Sequence, residues 1–219
     1  GQSTRPGSLR IAAKEELERI LPFIEHIANN HPAVFISVDT YHSLVAREAV
    51  LAGAHMVNDI SAGNMDAQMI RTVAELGVPY VCMHMKGTPE TMQQNPVYDN
   101  ILKEILDFFI AKIDECQKAG ITDIIVDPGF GFGKTIDQNF WLLKNLQIFN
   151  MLEKPILAGL SRKSSIYKTL GITAAESLNG STVMHTIALQ NGACMLRVHD
   201  VKEAMEAIAL TERYKKTAG

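Results

Sequence analysis

The sequence predicts a (β/α) barrel, and three observations lead there. Short apolar runs alternate with amphipathic helical stretches along all 219 residues. Polar side chains close nearly every apolar run: Asp39, Asn58, His84, Asp127, Lys163 and His199. No linker, low-complexity tract or sequence repeat breaks the alternation, so residues 1–219 read as a single domain. Strands joined by helices run parallel under a helical cover, either as a closed barrel or as an open doubly wound sheet. Both architectures keep their sites at the C-terminal strand ends. About six strands can be counted where eight close a barrel. Because the chain opens on a loop and a helix, the first strand or two are expected before Gly1. The barrel would then be N-terminally incomplete, with exposed strand edges.

Each element follows from local pattern. Gly1-Gln2-Ser3-Thr4-Arg5-Pro6-Gly7-Ser8 has loop composition. A helix is expected over about Lys14–Asn29, with Leu17, Ile20, Leu21, Ile24 and Ile27 on one face. The strand Val34–Val38 ends at Asp39-Thr40. A helix from about Ser43 to Ala52 closes at Gly53, and Met56-Val57 leads into Asn58-Asp59. Next come a helix near Asp66–Leu76, the strand Val78–Met83 ending at His84, and the loop Lys86-Gly87-Thr88-Pro89. The helix Asn100–Ala119 precedes Ile124-Ile125-Val126 and the run Asp127-Pro128-Gly129-Phe130-Gly131-Phe132-Gly133-Lys134. A helix over Phe140–Phe149 and the strand Pro155–Leu160 deliver Ser161-Arg162-Lys163-Ser164. The helix Thr182–Gln190, the strand Ala193–Val198 ending at His199-Asp200, and the helix Lys202–Tyr214 complete the chain.

Composition narrows the function. A 47% hydrophobic content supports a substantial core, and a net charge of -3 with scattered basic residues argues against an extended nucleic-acid face. No apolar run reaches the roughly 18 residues of a membrane span. Cys82, Cys116 and Cys194 are odd in number, far apart and set among apolar neighbours. They read as core residues of a reducing compartment, hence cytoplasm. The partner is expected to be a small molecule.

The glycine run after Val126 is the strongest local signal. Its spacing matches neither the dinucleotide-binding pattern nor the P-loop. Asp127 puts a carboxylate where a strand meets solvent, Phe130 and Phe132 offer ring faces, and Lys134 adds a cation. The alternative is a βα turn with two aromatics tucked into the core. Taken together, Asp39, Asn58, Asp127 and Lys163 can read the donor and acceptor edge of a flat heterocycle. Arg197 and His199, two apart on one strand, project to one side and can hold an anion with Arg5. Ser161, Arg162 and Ser164 add donors where barrels bind phosphate. Asp39 and Asn58-Asp59 could instead tie loops or cap helices, and His84 could be a packed histidine. A metal site from His84, His199 and Asp39 lacks close ligand spacing. Cys194 has no base beside it for a thiol nucleophile.

Ser3-Thr4-Arg5-Pro6-Gly7, Ser37-Val38-Asp39-Thr40, Asn58-Asp59-Ile60, Met83-His84-Met85, the Asp127–Lys134 run, Ser161-Arg162-Lys163-Ser164 and Arg197-Val198-His199-Asp200 resemble the dihydropteroate synthases in order and spacing. That resemblance implies a homodimeric (β/α)8 barrel of folate biosynthesis, the target of sulfonamides. It would condense 6-hydroxymethyl-7,8-dihydropterin diphosphate with 4-aminobenzoate. By resemblance Asp39, Asn58, Met83, Asp127, Lys163 and Arg197 contact the pterin, and Asn58, Arg197, His199 and Arg5 hold the diphosphate with Mg²⁺. Thr4, Arg5, Pro6, Phe132, Ser161 and Lys163 frame the aminobenzoate. The catalytic set is Asp39, Asp127, Lys163, Arg197 and His199, and the family's Mg²⁺ ligand would lie upstream of Gly1. Two alternatives share the barrel: a pterin-dependent methyltransferase, and a pterin-binding protein without activity. The Ser-Thr-Arg-Pro-Gly loop and the Ser-Arg-Lys and Arg-Val-His motifs favour the synthase, because a methyl donor has no diphosphate to hold.

Overall fold

The computed structural model describes residues 1, 3–4, 7–92 and 96–217. Among the described residues six parallel strands follow in chain order: β1 (Ser37–Asp39), β2 (Met56–Asp59), β3 (Tyr80–Met83), β4 (Ile124–Asp127), β5 (Leu157–Ala158) and β6 (Met195–Leu196). The first four form one sheet, the last two a pair, and a bridge between Val126 and Ile156 joins them. Between them lie α1 (Ala13–Asn30), α2 (Ser43–Leu51), α3 (Met69–Leu76), α4 (Ile101–Ala119), α5 (Ile136–Lys144), α6 (Ser164–Leu170), α7 (Leu178–Gln190) and α8 (Val201–Lys216). Neighbouring strands in chain order with a helix between each pair form the α/β barrel arrangement expected.

Alternation along the strands sorts the side chains into two packed layers. Val57, Tyr80, Cys82, Ile124, Val126 and Ala158 face outward into the main core with Phe109, Leu142 and Phe149 from the helical layer. Met56, Val81, Ile125, Leu157 and Met195, one from each of β2 to β6, pack together as a separate inner cluster. A period of two places Asn58, Met83, Asp127, Gly159 and Arg197 directly above that layer, about 7 Å further toward the C-terminal mouth. Asp39 joins them through its register with Asn58.

Strand bounds are shorter than the apolar runs suggest. Val34 and Phe35 lie outside β1 at 49% and 61% exposure, because the Ile36 N–H donates to the His55 ring (3.1 Å) and Phe35 stacks on that ring. Strand β3 starts at Tyr80, after Pro79, which has no N–H to give the ladder. Helix α5 starts earlier than expected because Thr135 and Gln138 form a reciprocal cap, and the rest of the expected helix is a 3-10 turn over Leu146–Leu152. Helix α6 has no counterpart among the expected elements, and α7 begins at Leu178 rather than Thr182. Among the described residues no helix is long and apolar enough to cross a membrane.

Candidate active site

Six strand ends meet at one mouth. Arg197 beyond β6 forms an ion pair with Asp39 at the end of β1, so the first and last strands are linked across the opening. The pair is part exposed, at 48% and 30%, so exchanging it for another partner costs little. The second Asp39 oxygen, Oδ1, is buried with no hydrogen-bond partner among the described residues, an acceptor that a ligand donor would satisfy. Asp127 is 4% exposed, and its Oδ1 accepts from the Gly129 N–H (2.8 Å). Burial raises its pKa, opposed by the charges of Lys163, Arg197 and Lys134. A β-carbon on Gly159 would sit 3.9 Å from Arg197 and 4.0 Å from Asp127 Oδ2, so these two groups flank one open position. That glycine escaped the sequence reading, although its parity with Leu157 marks it as facing inward.

Lys163 completes the polar set from the loop after β5. Its Nζ lies 4.4 Å from the centre of the Phe132 ring, and burial lowers its pKa to about 8, with Asp127 pulling the other way. The two aromatics of the glycine run divide: Phe130 enters the main core, whereas Phe132 joins Met83, Tyr41, Ile60 and Met92 in a small apolar cluster at the mouth. Both rings are thus buried, as the packed alternative expects, and Phe132 differs in lying beside the Lys163 ammonium.

Lys134 has a role the sequence did not reveal. It is 3% exposed, and its Nζ donates to the carbonyls of Gly129 (2.9 Å) and Phe132 (3.0 Å) and meets His84 Nδ1 at 3.1 Å. It pins the glycine run from beneath. Burial lowers its pKa to about 7, and burial with the nearby lysines drives His84 down to about 2, so His84 stays neutral. Packed edge-on against Phe108 at 5.0 Å, His84 is a structural histidine. Asp59 is also structural: its carboxylate accepts from Ser61, Gly63 and the Tyr80 hydroxyl on the outward face.

On the anion side, the Ser161 hydroxyl lies 3.0 Å from His199 Nδ1 and accepts from the His199 N–H at 3.2 Å. Arg162 corrects the sequence reading. Its guanidinium turns to Asp200 instead of joining the anion donors, and its φ of 53° is a left-handed conformation that costs a side-chain-bearing residue about 1–2 kcal/mol. Thr4 is half-buried, and the Gly7 N–H donates to Pro89 O (3.0 Å), docking the opening loop on the loop after β3. Arg5 and Pro6 lie outside the described residues. Among the described residues no group of three His, Cys, Asp or Glu side chains can cage a metal.

Comparison with known proteins gives this arrangement a context. The family model described as pterin binding enzyme matches residues 1–199. Dihydropteroate synthase of Escherichia coli (strain K12) is 43% identical over 214 residues, covering 97% of this chain and 75% of that protein. Yersinia pestis dihydropteroate synthase, solved with a sulfonamide drug, superposes with a TM-score of 0.96 at 39% identity, over 99% of this chain and 79% of that one. The Xanthomonas albilineans dihydropteroate synthase solved with 4-aminobenzoic acid gives 0.92 at 39% identity, over 100% and 78%.

Proposed function

The chain belongs to the pterin-binding enzyme family, among its dihydropteroate synthases, and from that premise we propose how its mouth works. It condenses 6-hydroxymethyl-7,8-dihydropterin diphosphate with 4-aminobenzoate, releasing diphosphate and giving 7,8-dihydropteroate for folate. The observation that carries the assignment of roles is the single layer of Asp39, Asn58, Met83, Asp127 and Arg197 above the inner apolar cluster. The carboxylates and amide read the donor edge of the pterin ring, and Met83 packs on its face. Arg197 and His199 take the diphosphate, Arg197 exchanging Asp39 for the anion. Lys163 stands between this ring and an aminobenzoate lying on Phe132. Thr4, Arg5, Pro6 and Ser161 would frame the aminobenzoate, with Arg5 also reaching the anion.

Departure of diphosphate first leaves a cation on the pterin methylene carbon, delocalised into the ring. Asp39 and Asp127 stabilise that charge, so no protein nucleophile is needed. The aromatic amine then forms its C–N bond to the same carbon through its lone pair and gives up one proton, which leaves with the diphosphate or to water. Mg²⁺ fits this site only in part: among the described residues no group of three His, Cys, Asp or Glu side chains gathers there, and the buried Asn58 amide would add one oxygen to those of the substrate diphosphate. When bound, it neutralises charge on the leaving group.

Diphosphate release measured with and without 4-aminobenzoate tests the assignment. Steady release that rises with the amine and accompanies formation of 7,8-dihydropteroate supports the synthase, whereas release unaffected by the amine, or none, removes the reading. Asp39→Asn is expected to slow turnover about 100-fold while pterin affinity changes only a few-fold, because the charge matters most in the cationic transition state. Steady-state rates beside calorimetric titration of the pterin check this, and equal losses in both would take that role from Asp39. The pH profile carries a second expectation. Lys163 acts as an ammonium and loses its proton near pH 8, so kcat/KM should fall on the alkaline side of that value. Lys163→Arg should push that limb to higher pH, and an unmoved limb would assign it to another group.

The assembly we propose is a homodimer through α7 and α8, in the cytoplasm. A groove of about 330 Å³ between these helices is lined by Thr186, Ala207, Leu210 and Tyr214. Leu210 and Tyr214 are more than two-thirds exposed there, beside Glu203 and Glu206, an apolar strip with a charged rim suited to self-association. Cys82 and Cys116 are buried thiols, as a reducing compartment would allow, whereas Cys194 is exposed and is not the core residue its apolar neighbours suggested.

A further inference from the structure

We infer that Arg162 and Asp200 form a latch that sets the loop after β5 against the loop after β6, and that both are positioning residues for the condensation. The inference rests on the synthase reading above. Arg162 stands between Ser161 and Lys163, and Asp200 directly follows His199. The ion pair therefore ties together the immediate neighbours of groups assigned to the aminobenzoate side and to the diphosphate side.

Its geometry is that of a fixed joint. Arg162 Nε donates to Asp200 Oδ2 at 2.9 Å and Nη2 donates to Oδ1 at 2.7 Å, a two-point contact that sets angle as well as distance. Nη1 donates to the carbonyls of Ala174 (3.3 Å) and Ala175 (3.0 Å), so four of the guanidinium's five N–H groups are engaged within the protein. The Arg162 backbone N–H donates to Ser181 Oγ at 2.9 Å, anchoring the same residue to α7. The two side chains are 28% and 17% exposed, less open to screening than the surface pairs on the helices. The left-handed φ of Arg162 fits this purpose: it turns the guanidinium away from the mouth while its neighbours Ser161 and Lys163 face it. A second stitch, Ser161 to His199, joins the same two loops one residue earlier in each. Loosening the latch lets Lys163 and His199 drift relative to each other, and misplacement on the order of 1 Å can cost 100-fold in rate.

The test uses the full chain with Asp200→Asn, Arg162→Lys and the double variant. Each single change should slow amine-dependent diphosphate release at saturating substrate by roughly 10- to 100-fold, with KM for the amine within about threefold of the native value. The double variant should be no worse than the poorer single, since one joint is broken once. Amide hydrogen exchange should quicken together in residues 160–164 and 198–200. Turnover within twofold of native in the singles, multiplying losses in the double, or faster exchange in only one loop overturns the latch. If Asp200→Asn fails to fold, Arg162→Lys, which keeps the charge, carries the same criteria. A native enzyme without amine-dependent release would defeat the synthase reading instead, and the exchange measurement would still judge the latch.

Discussion

Gly129→Ala should be strongly destabilised. A β-carbon at this position falls well inside 3.0 Å of the His84 carbonyl oxygen, with the His84 carbonyl carbon at 3.1 Å and Met83 Cγ at 3.4 Å. Neither side can yield cheaply. The His84 N–H donates to Asp127 O at 2.9 Å, continuing the β3–β4 ladder, and the Gly129 N–H is bonded to the Asp127 carboxylate. Its φ of 69° adds a second cost. Overpacking at about 1–3 kcal/mol and a left-handed alanine at about 1–2 kcal/mol together consume a large share of the 5–15 kcal/mol that typically stabilises a domain. The thermal midpoint should drop by roughly 10 °C or more. Gly120→Ala is the control: φ is 101°, but nothing lies within 4 Å of the new carbon, so only the conformational cost applies. Its midpoint should fall by only a few degrees, about 2–4 °C per kcal/mol at this size. Similar drops for the two variants would show that the close approach to His84 is unimportant.

Asp127→Asn should slow turnover by about 100- to 1,000-fold, the range for deleting a preorganised charge from a buried site. The amide oxygen can still accept from Gly129, so the loop should hold its shape. The stability effect has the opposite sign. Burial raises the folded carboxyl's pKa, a net shift that already includes the pull of Lys163, Arg197 and Lys134. The stability linked to this group is therefore present below the unfolded carboxyl's pKa and lost as pH rises through the folded value. At neutral pH the ionised side chain burdens the fold, and the amide removes that burden. The variant is expected to be inactive yet at least as heat-stable as the native chain at pH 7. Thermal unfolding beside steady-state kinetics checks both halves, and a lower midpoint with retained turnover would reverse the assignment. This is a cost that function imposes on stability.

The legible part of this molecule was its periodicity. Apolar runs ending in Asp39, Asn58 and Asp127, and the run that carries Arg197 and ends at His199, announced a parallel array with a polar rim, and the structure gathers Asp39, Asp127 and Arg197 at one mouth. Cys194 is set aside because no base stands beside it. Less legible were the lengths of strands, because apolar residues such as Val34 and Phe35 look like strand whether or not a neighbour supplies the ladder. Charged side chains were ambiguous for the same reason. Arg162, Lys163 and Lys134 are all cations in loops beside the mouth, yet one grips Asp200, one faces Phe132 and one lies under the glycine run.

What the sequence determined by itself is which positions face inward, since a strand's two-residue period is a local property of the backbone. Which inward or loop charges meet each other was decided only by tertiary structure. Arg197 and Asp39 are 158 residues apart, and Arg162 and Asp200 are 38 apart. Barrel curvature and loop conformation, not sequence distance, fix such meetings, because pairing energy between charges depends on separation and burial in space.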